Sequence, residues 1–256
     1  MIIKFLGRHN SESKGTKLVS FVINEVLAID AGSLASGLSF SEQEKVNAIL
    51  ISHAHYDHIR DIPAFVFNNI KRRLLLYGIA SALDLVSSHM FNGSIYPKFT
   101  EESSFVGQRV VELCPLEPYQ TCNIEDFTIL TIPMNHGTDA AGLEITSKDG
   151  KRLFYSGDTG SGLSYVWSHI TPDLLIIDLT FPNRFKKEAD NSGHLCPELL
   201  KKELDVFSQA KGYLPKIFPV HLYPVYENEI IEEANEVADQ LGFTICSLND
   251  NKDLIL

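Results

Sequence analysis

The chain opens on short apolar runs separated by polar residues. Ile2 to Leu6, Leu18 to Ile23, Val26 to Asp30 and Ala48 to Ser52 each fit a strand. Helical spacing enters at Arg60 to Asn69 and Ser81 to Met90, with Leu74 to Tyr77 between them as a further strand. Strand signals return at Phe127 to Ile132, Leu143 to Thr146, Arg152 to Tyr155 and Leu174 to Asp178. Two longer helices follow: Pro197 to Lys211, with proline in its first turn, and Glu227 to Leu241, with Ile230, Ala234, Val237 and Leu241 on one stripe. Lys216 to Val220 and Phe243 to Ser247 complete the strands. Strands first, then strand and helix in alternation, predicts an α/β fold of two sheets with helices packed outside them. Residues 91–125, broken by Gly93, Pro97, Gly107, Pro115 and Pro118, are expected to form a long surface excursion that borders the site.

At 256 residues one large core is within reach, and no repeat, low-complexity tract or linker divides the chain, so one domain over residues 1–256 is expected. A chain that is 44% apolar and 21% charged is neither disordered nor fibrous. The net charge of -11 would repel a polyanion, which argues against a long nucleic acid and for a small substrate. The basic run Lys71-Arg72-Arg73 leads straight into Leu74, so it reads as a solvated helix end. Cysteines 114, 122, 196 and 246 form no C-x-x-C pair, which indicates neither a disulfide framework nor a zinc ribbon. The N-terminus turns polar after Leu6 and no apolar run approaches ~18 residues. Neither signal peptide nor membrane span is expected, and the location expected is cytoplasmic.

The chemistry concentrates at strand ends. Ala48-Ile-Leu-Ile-Ser52 runs into His53-Ala-His55-Tyr-Asp57-His58, which puts three imidazoles and a carboxylate on one loop. Zinc, manganese and iron all take such nitrogen and oxygen donors. Further single donors end other apolar runs: His136 after Ile129 to Met134, Asp158 after Leu153 to Gly157, and His221 after Ile217 to Val220. Each alone would be an ordinary polar strand end. Together with the first loop they describe a metal site.

H-x-H-x-D-H, then a lone His, an Asp in Gly-Asp-Thr and a last His, resembles the metallo-β-lactamase superfamily in order and placement. Ala28-Ile-Asp30-Ala-Gly32 resembles that family's early Asp-x-Gly turn, with Asp30 supporting the metal loop. The resemblance implies a four-layer αββα sandwich of two mixed sheets. It also implies one ion on His53, His55 and His136, a second on Asp57, His58 and His221, and Asp158 bridging them. The expected cofactor is a pair of divalent ions, zinc first, with manganese or iron as alternatives. The nucleophile would be their shared hydroxide, oriented by Asp57.

The segment Asp178 to His194-Leu resembles the Gly-His segment of the phosphodiesterase branch, which includes ribonuclease Z and compact cyclic-nucleotide phosphodiesterases. His194 is thereby expected to face the scissile phosphate as proton donor or anion stabiliser. Ser192 and Arg184 are weaker candidates for holding phosphate oxygens. Only 21 residues separate His136 from Asp158, too few for the tRNA-gripping arm of short ribonuclease Z. A small phosphodiester, a cyclic nucleotide first, is therefore the expected substrate. Lactone, carboxyl-ester or thioester hydrolysis is the alternative, and a non-catalytic metal module is a third class. A flavin-linked diiron role would need a flavin domain for which the chain has no room. Relatives often form dimers, so a homodimer is a possible assembly. His9 is expected to be a solvent-facing turn residue, and His89 and His169 structural.

Overall fold

A computed structural model describes the chain apart from residues 103–106, 108 and 247–252. In the first sheet β1 (Ile2–Gly7), β2 (Ser20–Ile23) and β3 (Leu27–Ile29) pair antiparallel, and β4 (Ala48–Leu50), β5 (Leu74–Gly78) and β6 (Val111–Pro115) continue it in parallel. In the second sheet β7 (Thr121–Ile124), β8 (Phe127–Pro133), β9 (Ala141–Ser147) and β10 (Arg152–Tyr155) form an antiparallel meander, extended in parallel by β11 (Leu174–Asp178) and β12 (Lys216–Val220). A short β13 (Leu254–Ile255) joins the free edge of β1.

Alternation along the strands builds the layers. In β4, Ala48 and Leu50 face the space between the sheets, while Ile49 and, just past the strand, Ile51 face outward. In β11, Leu174 and Ile176 face inward, while Leu175 and Ile177 face out. The inner faces meet through residues such as Phe21, Ile29, Ile145 and Phe218. The outward face of the first sheet is covered by α1 (Leu34–Gly37), α4 (Ile62–Asn68) and α5 (Ala80–Leu85), with Leu34, Phe65 and Leu83 buried against it. The outward face of the second is covered by α6 (Ser164–His169), α8 (Pro197–Lys211) and α9 (Glu227–Leu241), through Trp167, Leu204 and Ile230. The order helix, sheet, sheet, helix is the αββα sandwich. Three short helices complete the chain: α2 (Phe40–Gln43), α3 (Tyr56–Ile59) and α7 (Lys186–Ser192).

Residues 91–125 form the expected irregular excursion only in part: 91–102 hold no strand or helix, and 116–118 line the cavity beside His136, but the rest is more regular than the glycines and prolines predict. They supply β6 and β7, and Phe91, Phe99 and Val110 are fully buried. Prolines at the end of β6 and just beyond it interrupt the pattern without preventing parallel pairing with β5. The second predicted helix also differs, because α5 ends in a single wide turn over Val86–Met90. Of the expected strand Phe243 to Ser247, Ile245 makes an isolated bridge to Ile217, and Ser247 lies outside the described residues. No described helix is long and apolar enough to cross a membrane.

Candidate metal centre

Because β8, β10, β11 and β12 point the same way, their carboxyl ends deliver His136, Asp158, Asp178 and His221 to one rim. The loop after β4 delivers His53 to His58 to that rim from the first sheet. The structure brings together all seven residues expected there. Donor atoms of His53, His55, His136 and Asp158 lie within 4.8 Å of one another, as do those of Asp57, His58, Asp158 and His221. Asp158 belongs to both groups.

Each buried imidazole has its Nδ1 tied down, which fixes the tautomer and leaves Nε2 aimed at the cluster. His58 Nδ1 donates to Asp30 at 2.7 Å, and His53 Nδ1 donates to Ser52 Oγ at 3.0 Å, which itself donates to Asp30 at 2.8 Å. His136 Nδ1 donates to the Gly193 carbonyl at 3.0 Å, and His221 Nδ1 to Thr180 Oγ1 at 2.8 Å. His55 is the exception: its Nδ1 turns inward, 3.2 Å from His136 Nε2. Asp30 is the hub beneath the loop, since it also accepts from the Ser52 N–H at 2.7 Å and the Tyr155 hydroxyl at 2.6 Å. The chain turns sharply here: Ala31 N–H donates to the His58 carbonyl, and a Cβ on Gly32 would sit 2.0 Å from the Asp57 carbonyl oxygen. Asp30 and His221 both hold positive φ, +50° and +59°, at a cost of about 1–3 kcal/mol each that the surrounding contacts must offset.

Burial pushes His53 well below the ordinary histidine range. At His58 burial acts in the same direction but is outweighed by Asp158 and Asp30, so its pKa is raised. Asp158 is fully buried, which alone would raise it, yet His221 and His58 hold it well below the usual carboxylate range. His53 Nε2, His58 Nε2 and Asp158 Oδ1 are buried without a well-directed hydrogen bond among the described residues, although His58 Nε2 stands 3.1 Å from Asp158 Oδ1 as an ion pair. Buried polar atoms are rarely left so. Buried nitrogen and carboxylate-oxygen donors that converge on one space with so few directed partners fit divalent cations of the zinc, manganese or iron kind.

His194 lies in neither of those two groups but in a third, with Asp158, Asp178 and His221, whose donor atoms also fall within 4.8 Å of one another. Its ring lies 5.1 Å from that of His136 and stacks 4.9 Å from that of His221. Its Nδ1 donates to Asp178 Oδ2 at 2.6 Å. Burial would lower its pKa, but Asp178 prevails and lifts it to about 9. Asp178 is the site residue that sequence reasoning missed. It also accepts from Thr180 Oγ1 at 2.8 Å, and so holds His221 through that hydroxyl. A signal was present: Asp178 ends an apolar strand, as Asp158 follows one.

Other expectations are corrected. Arg184 is paired with both carboxylate oxygens of Glu229 and lies over the rings of Phe185 and Tyr226, and Ser192 Oγ donates to carbonyls of its own helix. Neither is poised for phosphate. His9 is buried, because the chain after β1 is clamped between Leu18 and Leu222 and its Nε2 meets Glu227 at 3.0 Å.

The sandwich and its paired donor clusters define a protein of the metallo-β-lactamase kind. Residues 29–221 match the model of the beta-lactamase superfamily domain, and the chain belongs to that family. It is similar to the "Probable 3',5'-cyclic-nucleotide phosphodiesterase" of Yersinia pestis, with 26% identity over 66% of this chain and 53% of that protein. It is also similar to the 3',5'-cyclic-nucleotide phosphodiesterase of Aliivibrio fischeri, with 25% identity over 72% of this chain and 67% of that one. The chain thus spans about half the length of the first relative and two thirds of the second. In fold it resembles unliganded yeast PDE1, with a TM-score of 0.84 at 16% identity over 100% of this chain and 99% of that one. The human short-form tRNase Z is more distant, with a TM-score of 0.66 at 17% identity over 89% and 94%.

Proposed function

We propose that the chain is a hydrolase that uses two divalent ions to cleave a small phosphodiester, a 3′,5′-cyclic nucleotide first. The observation that carries this reading is the Asp178–His194 pair standing between the two donor clusters. His53, His55 and His136 would hold one ion, Asp57, His58 and His221 the other, and Asp158 both. Zinc is the first candidate, with manganese and iron next. When bound, such ions acidify a water and neutralise charge on the attacked and leaving oxygens.

The chain's own residues account for the rest. With Nδ1 held by Asp178, His194 Nε2 makes no hydrogen bond among the described residues and is available to a leaving oxygen, and Asp178 favours the protonated ring. An alkoxide leaving group needs that proton, whereas a lactone or thioester needs it less. Asp57, held at 3.0 Å from His221 Nε2, stays ionised because His221 and His58 outweigh the effect of its burial. It can orient the attacking water. Between His136 and Asp158 the strands β9 and β10 are joined by a tight turn at Lys148 to Gly150, which offers no arm for a long RNA. The names of the relatives from Yersinia pestis and Aliivibrio fischeri point to the same substrate class.

Metal analysis combined with a screen of cyclic nucleotides, an aryl phosphodiester, a lactone and a thioester tests the reading. Two ions per chain with turnover of a diester is the expected outcome. Turnover confined to the lactone or thioester would overturn it.

A further inference from the structure

A cavity of about 560 Å³ opens beside His136, walled by the segments that follow β5, β6 and β8. Of the candidate metal ligands only His136 reaches it, so it is a neighbour of the ion clusters and not their own space. Leu116 and Met134 contribute apolar wall, and both are largely buried. Glu117 and Asp139 bring carboxylates, and no lysine or arginine lines it among the described residues. Such a chamber suits neither a phosphate nor a second anion. It suits a flat, neutral ring whose N–H groups can donate to carboxylates while its faces lie on apolar side chains.

Resting on the phosphodiester reading above, we propose that this cavity holds the nucleobase of the substrate. We further propose that Glu117 and Asp139 select bases bearing an amino group, guanine, adenine or cytosine, over uracil. Guanine presents N1–H and its amino group side by side, a pair that a carboxylate accepts at both oxygens, whereas uracil offers a single N3–H flanked by two carbonyl oxygens that carboxylates repel. A site built to accept hydrogen bonds disfavours a partner that offers fewer donors and sets acceptor oxygens against its carboxylates.

Two variants test this. Ser81 lines the cavity near the start of α5, and Ser81→Trp would fill it. The readout is the ratio of kcat/KM for guanosine 3′,5′-cyclic phosphate to that for methyl 4-nitrophenyl phosphate, a diester with no base. The ratio cancels any loss of folded enzyme or metal. It is expected to fall at least tenfold in Ser81→Trp. In the double variant Glu117→Gln/Asp139→Asn, preference for the guanosine over the uridine cyclic phosphate is expected to narrow at least fivefold. Values within twofold of wild type in both variants would overturn the proposal. If wild type cleaves no diester at all, the functional reading fails by itself, and the cavity is judged by saturation-transfer NMR with guanosine. A signal in wild type that is lost in Ser81→Trp supports it. No signal, or the same signal in both proteins, rejects it.

Discussion

At the scale of single residues the site divides its histidines by what holds their second nitrogen. A hydroxyl, a carbonyl or a carboxylate fixes Nδ1 of His53, His58, His136 and His221, and those four present Nε2 to the clusters. His194 shares that anchoring but stands between the clusters. Replacing His194 with Ala is expected to leave metal content intact and to slow a cyclic nucleotide by roughly 10²- to 10⁴-fold, the range for a positioned proton donor. An aryl diester, whose leaving group needs little protonation, should slow much less. Equal losses on both substrates would make His194 a phosphate-binding group instead. Asp178→Asn keeps an acceptor for His194 Nδ1 but removes the charge that favours the protonated ring. Its kcat on the cyclic nucleotide should fall about tenfold or more with KM little changed; a KM effect alone would assign Asp178 to substrate binding. The ligand residues were legible because chemistry that repeats at successive strand ends leaves a pattern in sequence. Asp178 was not, since one carboxylate closing one strand resembles any other.

At the scale of elements, strands and the two long helices were legible because their periodicity is enforced by burial on known faces. β10, β11, β12, α8 and α9 occupy the residues their patterns predict. The short helices α1, α2, α6 and α7 were not foreseen, since four to seven residues hold too few turns for a periodic signal. The loop after α7 shows how an element sets the site. Gly193 has φ +72°, and a Cβ there would lie 3.2 Å from His136 Nδ1 and 3.3 Å from the Gly137 nitrogen. Gly193→Ala should therefore displace His136 or His194, weaken metal binding by about tenfold or more and lower turnover, although neither side chain is altered. Unchanged metal affinity and rate would show that the loop is free to shift. A second element-level prediction concerns Glu144, in the middle of β9. Burial raises its pKa even though it accepts from the Thr171 N–H at 2.7 Å. With the folded pKa above the unfolded one, the folded chain binds more protons, so this group lowers stability as pH rises through that interval. Glu144→Gln should raise Tm at pH 8 and lose that advantage by pH 4. An advantage that is the same at both pH values would contradict the assignment.

At the scale of the molecule, the three buried clusters run through both sheets without residues of the rim, so the fold is expected to stand without the ions. They are expected to complete it locally: His53 Nε2, His58 Nε2 and Asp158 Oδ1 are buried without a well-directed hydrogen bond among the described residues, beyond the 3.1 Å His58–Asp158 ion pair, and Asp158 carries charge at 1% exposure. A cation that binds only the folded chain stabilises it by RT ln(1 + [L]/Kd), about 4 kcal/mol at a thousandfold excess over Kd. For a chain of this size that corresponds to roughly 8–16 °C in Tm. Exhaustive chelation is therefore expected to lower Tm by about 10 °C while far-UV circular dichroism at 25 °C stays that of the folded protein, and zinc should restore the original value. The same treatment of Asp158→Ala should shift Tm much less, because the residue that serves both clusters is gone. If exhaustive chelation releases no metal and leaves Tm unchanged, the seven donors do not hold resident ions, and the proposed chemistry loses its source of nucleophile. If it instead unfolds on chelation, the rim contributes more to the fold than the layered core implies, and stability and catalysis would have to be measured only on metal-loaded protein.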